Sequence, residues 1–134
     1  CLPPRLEGEG MSARPKAARI SEAALHKQVA DYLNAVIRPP SVWTTIAHGG
    51  GGKIRGAMLK ARGLKKGWPD IMVIAPGPNV LGIELKRKGG TQSPEQREVE
   101  SAFHGCKAWY VLCRSLEEVE RAVAFVIKPK RKAA

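Results

Sequence analysis

Residues 69–86 read PDIMVIAPGPNVLGIELK. Two apolar, β-branched runs, 70–75 and 80–86, flank Pro76-Gly77-Pro78-Asn79, so the stretch predicts two strands joined by a hairpin. Side chains alternate faces along a strand, which puts Glu84 and Lys86 on one side and Leu81, Ile83 and Leu85 on the other. Asp70 opens the first strand, and antiparallel pairing brings it beside Glu84. Two carboxylates at that separation repel unless a cation lies between them. Hard oxygen ligands suit Mg²⁺ or Mn²⁺, which keep several waters and also bind phosphate oxygens. Lys86, on the same face, is placed to orient or deprotonate a water, or to stabilise charge developing on a phosphate. An isolated Glu-x-Lys is no more than a surface ion pair. With a carboxylate across the hairpin, the components of a metal-assisted phosphodiesterase are present.

Outward from the hairpin, Ser93-Pro94-Glu95-Gln96 is a capping box with proline at the first helical position, predicting a helix over 94–104. Residues 108–113, AWYVLC, form a strand, and Ser115-Leu116-Glu117-Glu118 is a second capping box. It opens a final helix whose buried stripe is Leu116, Val119, Ala122, Val123 and Val126. Upstream, Ser21 caps a helix carrying Leu25, Val29, Tyr32, Leu33 and Val36 at helical spacing, and Pro39-Pro40 stops it. Residues 42–47, VWTTIA, predict a strand; Gly49 to Gly52 form a loop, and 54–62 a short basic helix ending at Gly63. The expectation is an α/β domain over residues 20–127, a central sheet flanked by helices in the main order α-β-β-β-α-β-α, without internal repeats. Residues 1–19 are expected to be a flexible arm, with Met11 the natural start and 1–10 non-native, and 128–134 a basic tail.

The chain has 134 residues and a formal charge of +11, from 23 Lys+Arg against 12 Asp+Glu. That length suits one domain with a real core, and no apolar run approaches the roughly 18 residues that would span a bilayer. Cys1, Cys106 and Cys113 are too few and too irregular for a disulfide framework, so a reduced, cytoplasmic protein is expected. The excess charge calls for a polyanionic partner. Its distribution is uneven. Residues 32–69 contain no acid but carry Arg38, Lys53, Arg55, Lys60, Arg62, Lys65 and Lys66, ending at Asp70, one of only two aspartates. Lys53, Arg55, Lys60, Arg62, Lys65 and Lys66 are the candidate DNA-backbone contacts.

Pro69-Asp70 followed by Glu84-Leu85-Lys86 is the PD-(D/E)xK nuclease signature. The surroundings narrow it: Gly63, Lys66-Gly67-Trp68-Pro69-Asp70-Ile71, then Ile83-Glu84-Leu85-Lys86, Gly90, Ser93 and Gln96. Together these resemble the VRR-NUC (virus-type replication-repair nuclease) domain, over roughly residues 20–125, in its stand-alone phage and bacterial form. The resemblance implies a restriction-endonuclease-like core with a mixed sheet, and Mg²⁺- or Mn²⁺-dependent cleavage of branched or flapped DNA. It also implies homodimers similar to Holliday-junction resolvases, acting in a bacterial or phage-infected cell. It further implies that Asp70, Glu84 and the backbone carbonyl of Leu85 bind metal and that Lys86 is catalytic. The family's first-helix glutamate corresponds to Glu22, three and seven residues before Leu25 and Val29 and so on the inward side; a first-turn glutamate is also favoured by the helix dipole alone. Gln96 matches the family's site glutamine, yet its place in the capping box explains it equally well.

Other motifs fail. His48-Gly49-Gly50-Gly51 resembles an esterase oxyanion loop, but no G-x-S-x-G occurs; Gly51-Gly52-Lys53 lacks the remaining P-loop residues. His104, Cys106 and Cys113 lack zinc-site spacing and are read as structural, with the thiols buried; His26 is read as a helix-surface residue. Trp68 has two readings, stacking on an exposed base or packing at the sheet edge. Rival functions are a non-catalytic basic DNA-binding module and an RNA-binding protein, the latter disfavoured by 5% aromatic content.

Overall fold

The computed structural model describes residues 20–46 and 51–127. Eight elements follow in the order α1 (Glu22–Val36), β1 (Val42–Thr45), α2 (Gly52–Ala61), β2 (Ile71–Ala75), β3 (Asn79–Leu85), α3 (Pro94–Gly105), β4 (Trp109–Cys113) and α4 (Leu116–Ile127). The strands form one sheet in sequence order. β1–β2 and β2–β3 are antiparallel and β3–β4 parallel, since α3 carries the chain back across the sheet before β4 begins. The sheet is therefore mixed, as expected.

Alternation along the strands divides the protein into two layers. Ile71, Val73, Leu81, Ile83 and Leu85 point to one face, where they pack with Leu25, Val29 and Leu33 of α1 and Val119, Val123 and Val126 of α4. Each such side chain removed from water contributes roughly 1.5–3 kcal/mol, so this layer supplies most of the stability. The opposite face is thinner. Phe103 of α3 lies directly on Gly82, where a Cβ would stand 2.6 Å from Pro69 Cγ and 2.8 Å from the Phe103 ring. Glycine at 82 is what lets α3 and the Trp68-Pro69 segment approach the sheet.

The caps act as their sequences predict, with one exception. Ser21 accepts from the Ala24 N–H, and Ser93 and Gln96 form a complete capping box. At α4, Ser115 Oγ accepts from the Glu118 N–H at 3.2 Å, but the Glu118 carboxylate turns to the Arg114 N–H at 2.6 Å. The second capping box is thus half made, because the neighbouring N–H lies closer to the carboxylate. Other departures are local. The basic helix begins at Gly52, so the glycine loop ends at Gly51, whose φ of 83° caps it. Lys86 falls just beyond β3 and Ile46 beyond β1. Val36 is 44% exposed, at the end of α1 past the sheet. Cys113 is buried as expected but Cys106 is exposed, at the C-terminal end of α3. The expected arm 1–19, the last residue of the expected strand 42–47, the start of the glycine loop at 49–50, and the tail 128–134 lie outside the described residues.

Candidate active site

Asp70 immediately precedes β2, and the register Ile71↔Ile83 continues one step outward to place it opposite Glu84. The pairing is held from both sides. Asp70 Oδ2 accepts the Leu85 N–H at 2.8 Å, tying the first strand's carboxylate to the end of the second. Gly67 fixes the approach to Asp70: its φ is 92°, and a Cβ there would run into the Glu95 carbonyl at the start of α3. The chain from Gly67 to Asp70 therefore threads beneath the first turn of α3, a path only glycine permits.

Glu84 is 3% exposed, the one buried carboxylate among the described residues. Its Oε2 accepts from Gln96 Nε2 at 2.8 Å and lies 4.0 Å from Lys86 Nζ. Its Oε1 is buried with no hydrogen-bond partner. Burial, and then the negative charge of Asp70, pushes the Glu84 carboxyl up from 4.5 to about 8, against the lowering influence of Lys86. Two facing carboxyls, one of them buried, are hard oxygen groups of the kind that suit a divalent cation.

Gln96 closes the cap and reaches Glu84 at once. Its Oε1 accepts the Ser93 N–H at 2.8 Å to close the capping box, which leaves its Nε2 to hold Glu84. The cap is what aims the amide. Lys86 remains largely covered, its side chain 19% exposed, so its charge is directed at the carboxylates more than at solvent. Leu85 meets the site through its N–H on Asp70 while its side chain joins the opposite core.

Glu22 is exposed, although its spacing puts it on the inward side of α1. It is the first residue of α1, a turn ahead of Leu25, the first buried side chain of that helix. Its charge still reaches Glu84, as the last of the influences raising that carboxyl. Among the described residues, no three His, Cys, Asp or Glu side chains stand together at ligating distance, so the acidic centre here is the Asp70–Glu84 pair. His26 points elsewhere, with Nε2 3.2 Å from Thr45 Oγ1. Lys53, Arg55, Lys60, Arg62, Lys65 and Lys66 are all exposed, on and after α2, a helix with no buried residue.

One residue of the site had no signal in the sequence. Tyr110 of β4 pairs with Gly82 in parallel register, which puts its side chain on the Glu84 face. Its hydroxyl is buried near Gln92, and burial, followed by the charge of Glu84, holds it far above the ordinary tyrosine range. Only the parallel β3–β4 register, absent from any local pattern, reveals it.

No protein-family model matches the chain, and no curated protein matches it. Solved structures do. A VRR_NUC domain protein aligns over 82% of this chain and 90% of its own length, with a TM-score of 0.64 and 20% identity. A second structure, a VRR_NUC domain, aligns over 76% of this chain and 92% of its own, with a TM-score of 0.55 and 17% identity. The likeness is one of fold: the chain has the restriction-endonuclease-like VRR-NUC architecture.

Proposed function

We propose that this chain is a VRR-NUC nuclease that hydrolyses DNA phosphodiester bonds with Mg²⁺ or Mn²⁺, selects branched substrates such as Holliday junctions or flaps, and acts as a homodimer. One observation carries the reading: Asp70 and Glu84 face each other across β2 and β3, and Glu84 has a buried, unsatisfied oxygen. An all-oxygen pair of this kind fits a hard divalent ion. Asp70 and Glu84 would hold it, with the Leu85 carbonyl and Glu22 as the remaining ligands. Such an ion supplies Lewis acidity toward phosphate oxygens and a water of lowered pKa.

The chain's own groups do the rest. Gln96 fixes the Glu84 carboxylate in orientation, and the Leu85 N–H does the same for Asp70. Lys86, 4.0 Å from Glu84, sets a positive charge where a scissile phosphate would gain negative charge, and can orient the attacking water. Lys53, Arg55, Lys60, Arg62, Lys65 and Lys66 engage backbone phosphates, which predicts binding that weakens steeply with salt. A four-way junction presents two symmetric strands, and one small domain with one site meets that symmetry as a two-fold dimer. The expected setting is the cytoplasm of a bacterium or a phage-infected host. Cleavage of junction, flap and linear DNA by Lys86→Ala and Asp70→Ala, with and without EDTA, tests the assignment. Both variants should lose activity; undiminished cleavage by both would sink it.

A further inference from the structure

Beside the acidic pair, on the α3 face of the sheet, lies an apolar recess of about 490 Å³ lined chiefly by Trp68, Met72, Val80, Val99, Ala102 and Phe103. Its size falls within the range of roughly 300–1,000 Å³ typical of small-molecule sites. Its lining flanks Asp70 along the chain. Trp68 is two residues before Asp70, and Met72 two residues after it on the same strand face, about 7 Å along the chain. Phe103 closes the side toward Gly82.

Trp68 is the feature that identifies the occupant. Its indole stands edge-on to Phe103, at 5.5 Å between centroids and 70° between planes, and Phe103 stands edge-on to Tyr110 in turn. The ring is thereby held in one orientation, yet 39% of the residue remains exposed. Gly67, locked beneath Glu95, fixes the backbone that carries it. Lys65 and Lys66 come shortly before it, both exposed, at the end of the acid-free basic block. An oriented, half-open aromatic face beside an apolar recess, preceded by cations and two residues from a phosphate-processing pair, matches a nucleotide: base in the recess, backbone on the lysines. Glu98, the one carboxylate in the lining, can only accept hydrogen bonds and so suits a base N–H.

We infer that the recess between Trp68 and α3 binds an unstacked nucleobase of the strand being cut, next to the scissile phosphate. A fully paired duplex keeps its bases stacked and has none to offer, so among branched substrates the recess favours those with an unpaired base at the cleavage point, such as flaps, over fully paired four-way junctions. This deepens the nuclease reading and rests on it for the position of the strand, but base binding is measurable apart from cleavage.

The full-length protein in EDTA is titrated with a short single-stranded oligonucleotide and with the same strand carrying abasic residues, following fluorescence anisotropy. Stacking of a base on an aromatic side chain corresponds to a change of about 5- to 160-fold in affinity. Wild type should prefer the intact strand by that factor. Trp68→Ala should erase the preference while retaining salt-sensitive binding, and Ala102→Trp, which fills the recess from an exposed helix position, should do the same while leaving Trp68 against Phe103. Equal affinity of wild type for intact and abasic strands overturns the proposal, as does a preference that survives Ala102→Trp. Light scattering on Ala102→Trp covers the remaining occupant: a dimer that dissociates with the base preference unchanged places a second copy there instead. A base preference without any metal-dependent cleavage by wild type removes the nuclease reading and leaves the recess; cleavage without the preference does the reverse.

Discussion

Raising the pH of the metal-free protein should destabilise it, and should strengthen its grip on a divalent ion by the same proton. Glu84 sits at about 8 in the folded protein against 4.5 in its ordinary state, because it is buried and faces Asp70. Below pH 4.5 the folded and unfolded chains both hold this proton. Between 4.5 and 8 the folded chain keeps it while the unfolded chain has lost it, so stability falls as pH rises and levels off above 8. At about 1.36 kcal/mol per pH unit, the upper limit of the decline from 4.5 to about 8 is roughly 5 kcal/mol. A metal must displace the same proton. At pH 6, two units below 8, affinity for Mn²⁺ should therefore be about 100-fold weaker than at pH 8.5 or above. Calorimetric titration with Mn²⁺ from pH 5.5 to 8.5, in buffers of different ionisation enthalpy, reads both the affinity and the released proton. Thermal melts in EDTA over the same range read the stability. The Cys113 thiol, pushed up to about 12 by burial, titrates outside this window and does not confuse the profile. Glu84→Gln should flatten the EDTA profile. Metal affinity independent of pH, or an EDTA profile that Glu84→Gln leaves unchanged, would refute the reasoning.

The double role of Gln96 separates by mutation. Ser93→Ala should cost about 0.5–2 kcal/mol in melts by removing the cap, whereas Gln96→Ala should also weaken Mn²⁺ binding, because the amide that orients Glu84 is gone. Tyr110→Phe removes a buried hydroxyl that makes no close hydrogen bond, so the melting temperature should change little while cleavage slows; unchanged cleavage would remove Tyr110 from the site. Replacing Lys65 and Lys66 together by alanine should lower the salt dependence of DNA binding by about 0.9 in log–log slope for each phosphate they neutralise, measured by anisotropy at several salt concentrations.

Local chemistry announced most of the elements. Ser21, Ser93 and Ser115 mark helix starts because a side-chain oxygen satisfies N–H groups that the helix leaves open, and the structure begins helices directly after each of them. The hairpin was equally legible. Pro76-Gly77-Pro78 turns the chain, and period-two alternation then puts Asp70 and Glu84 on one face and Leu81, Ile83 and Leu85 on the other. Strand and helix ends shifted by a residue or two, as they do where the last hydrogen bond competes with solvent.

Packing between distant elements set which groups share a small space. Gln96 was already explained by its cap, and nothing local said that its amide would land on Glu84 twelve residues away. Glu22 obeyed the inward spacing of its helix yet stayed exposed, because spacing names a face and not how far the partner layer extends. Tyr110 joined the acids, and Trp68 a recess with α3, through the parallel register of β4 and the close approach that Gly67 and Gly82 allow. The elements and the Asp70–Glu84–Lys86 triplet could be read from the chain alone, since capping hydrogen bonds and strand alternation act over a few residues. The depth of burial that raises the Glu84 carboxyl, and the recess between Trp68 and α3, came from layers that meet only when residues far apart in the chain fold together.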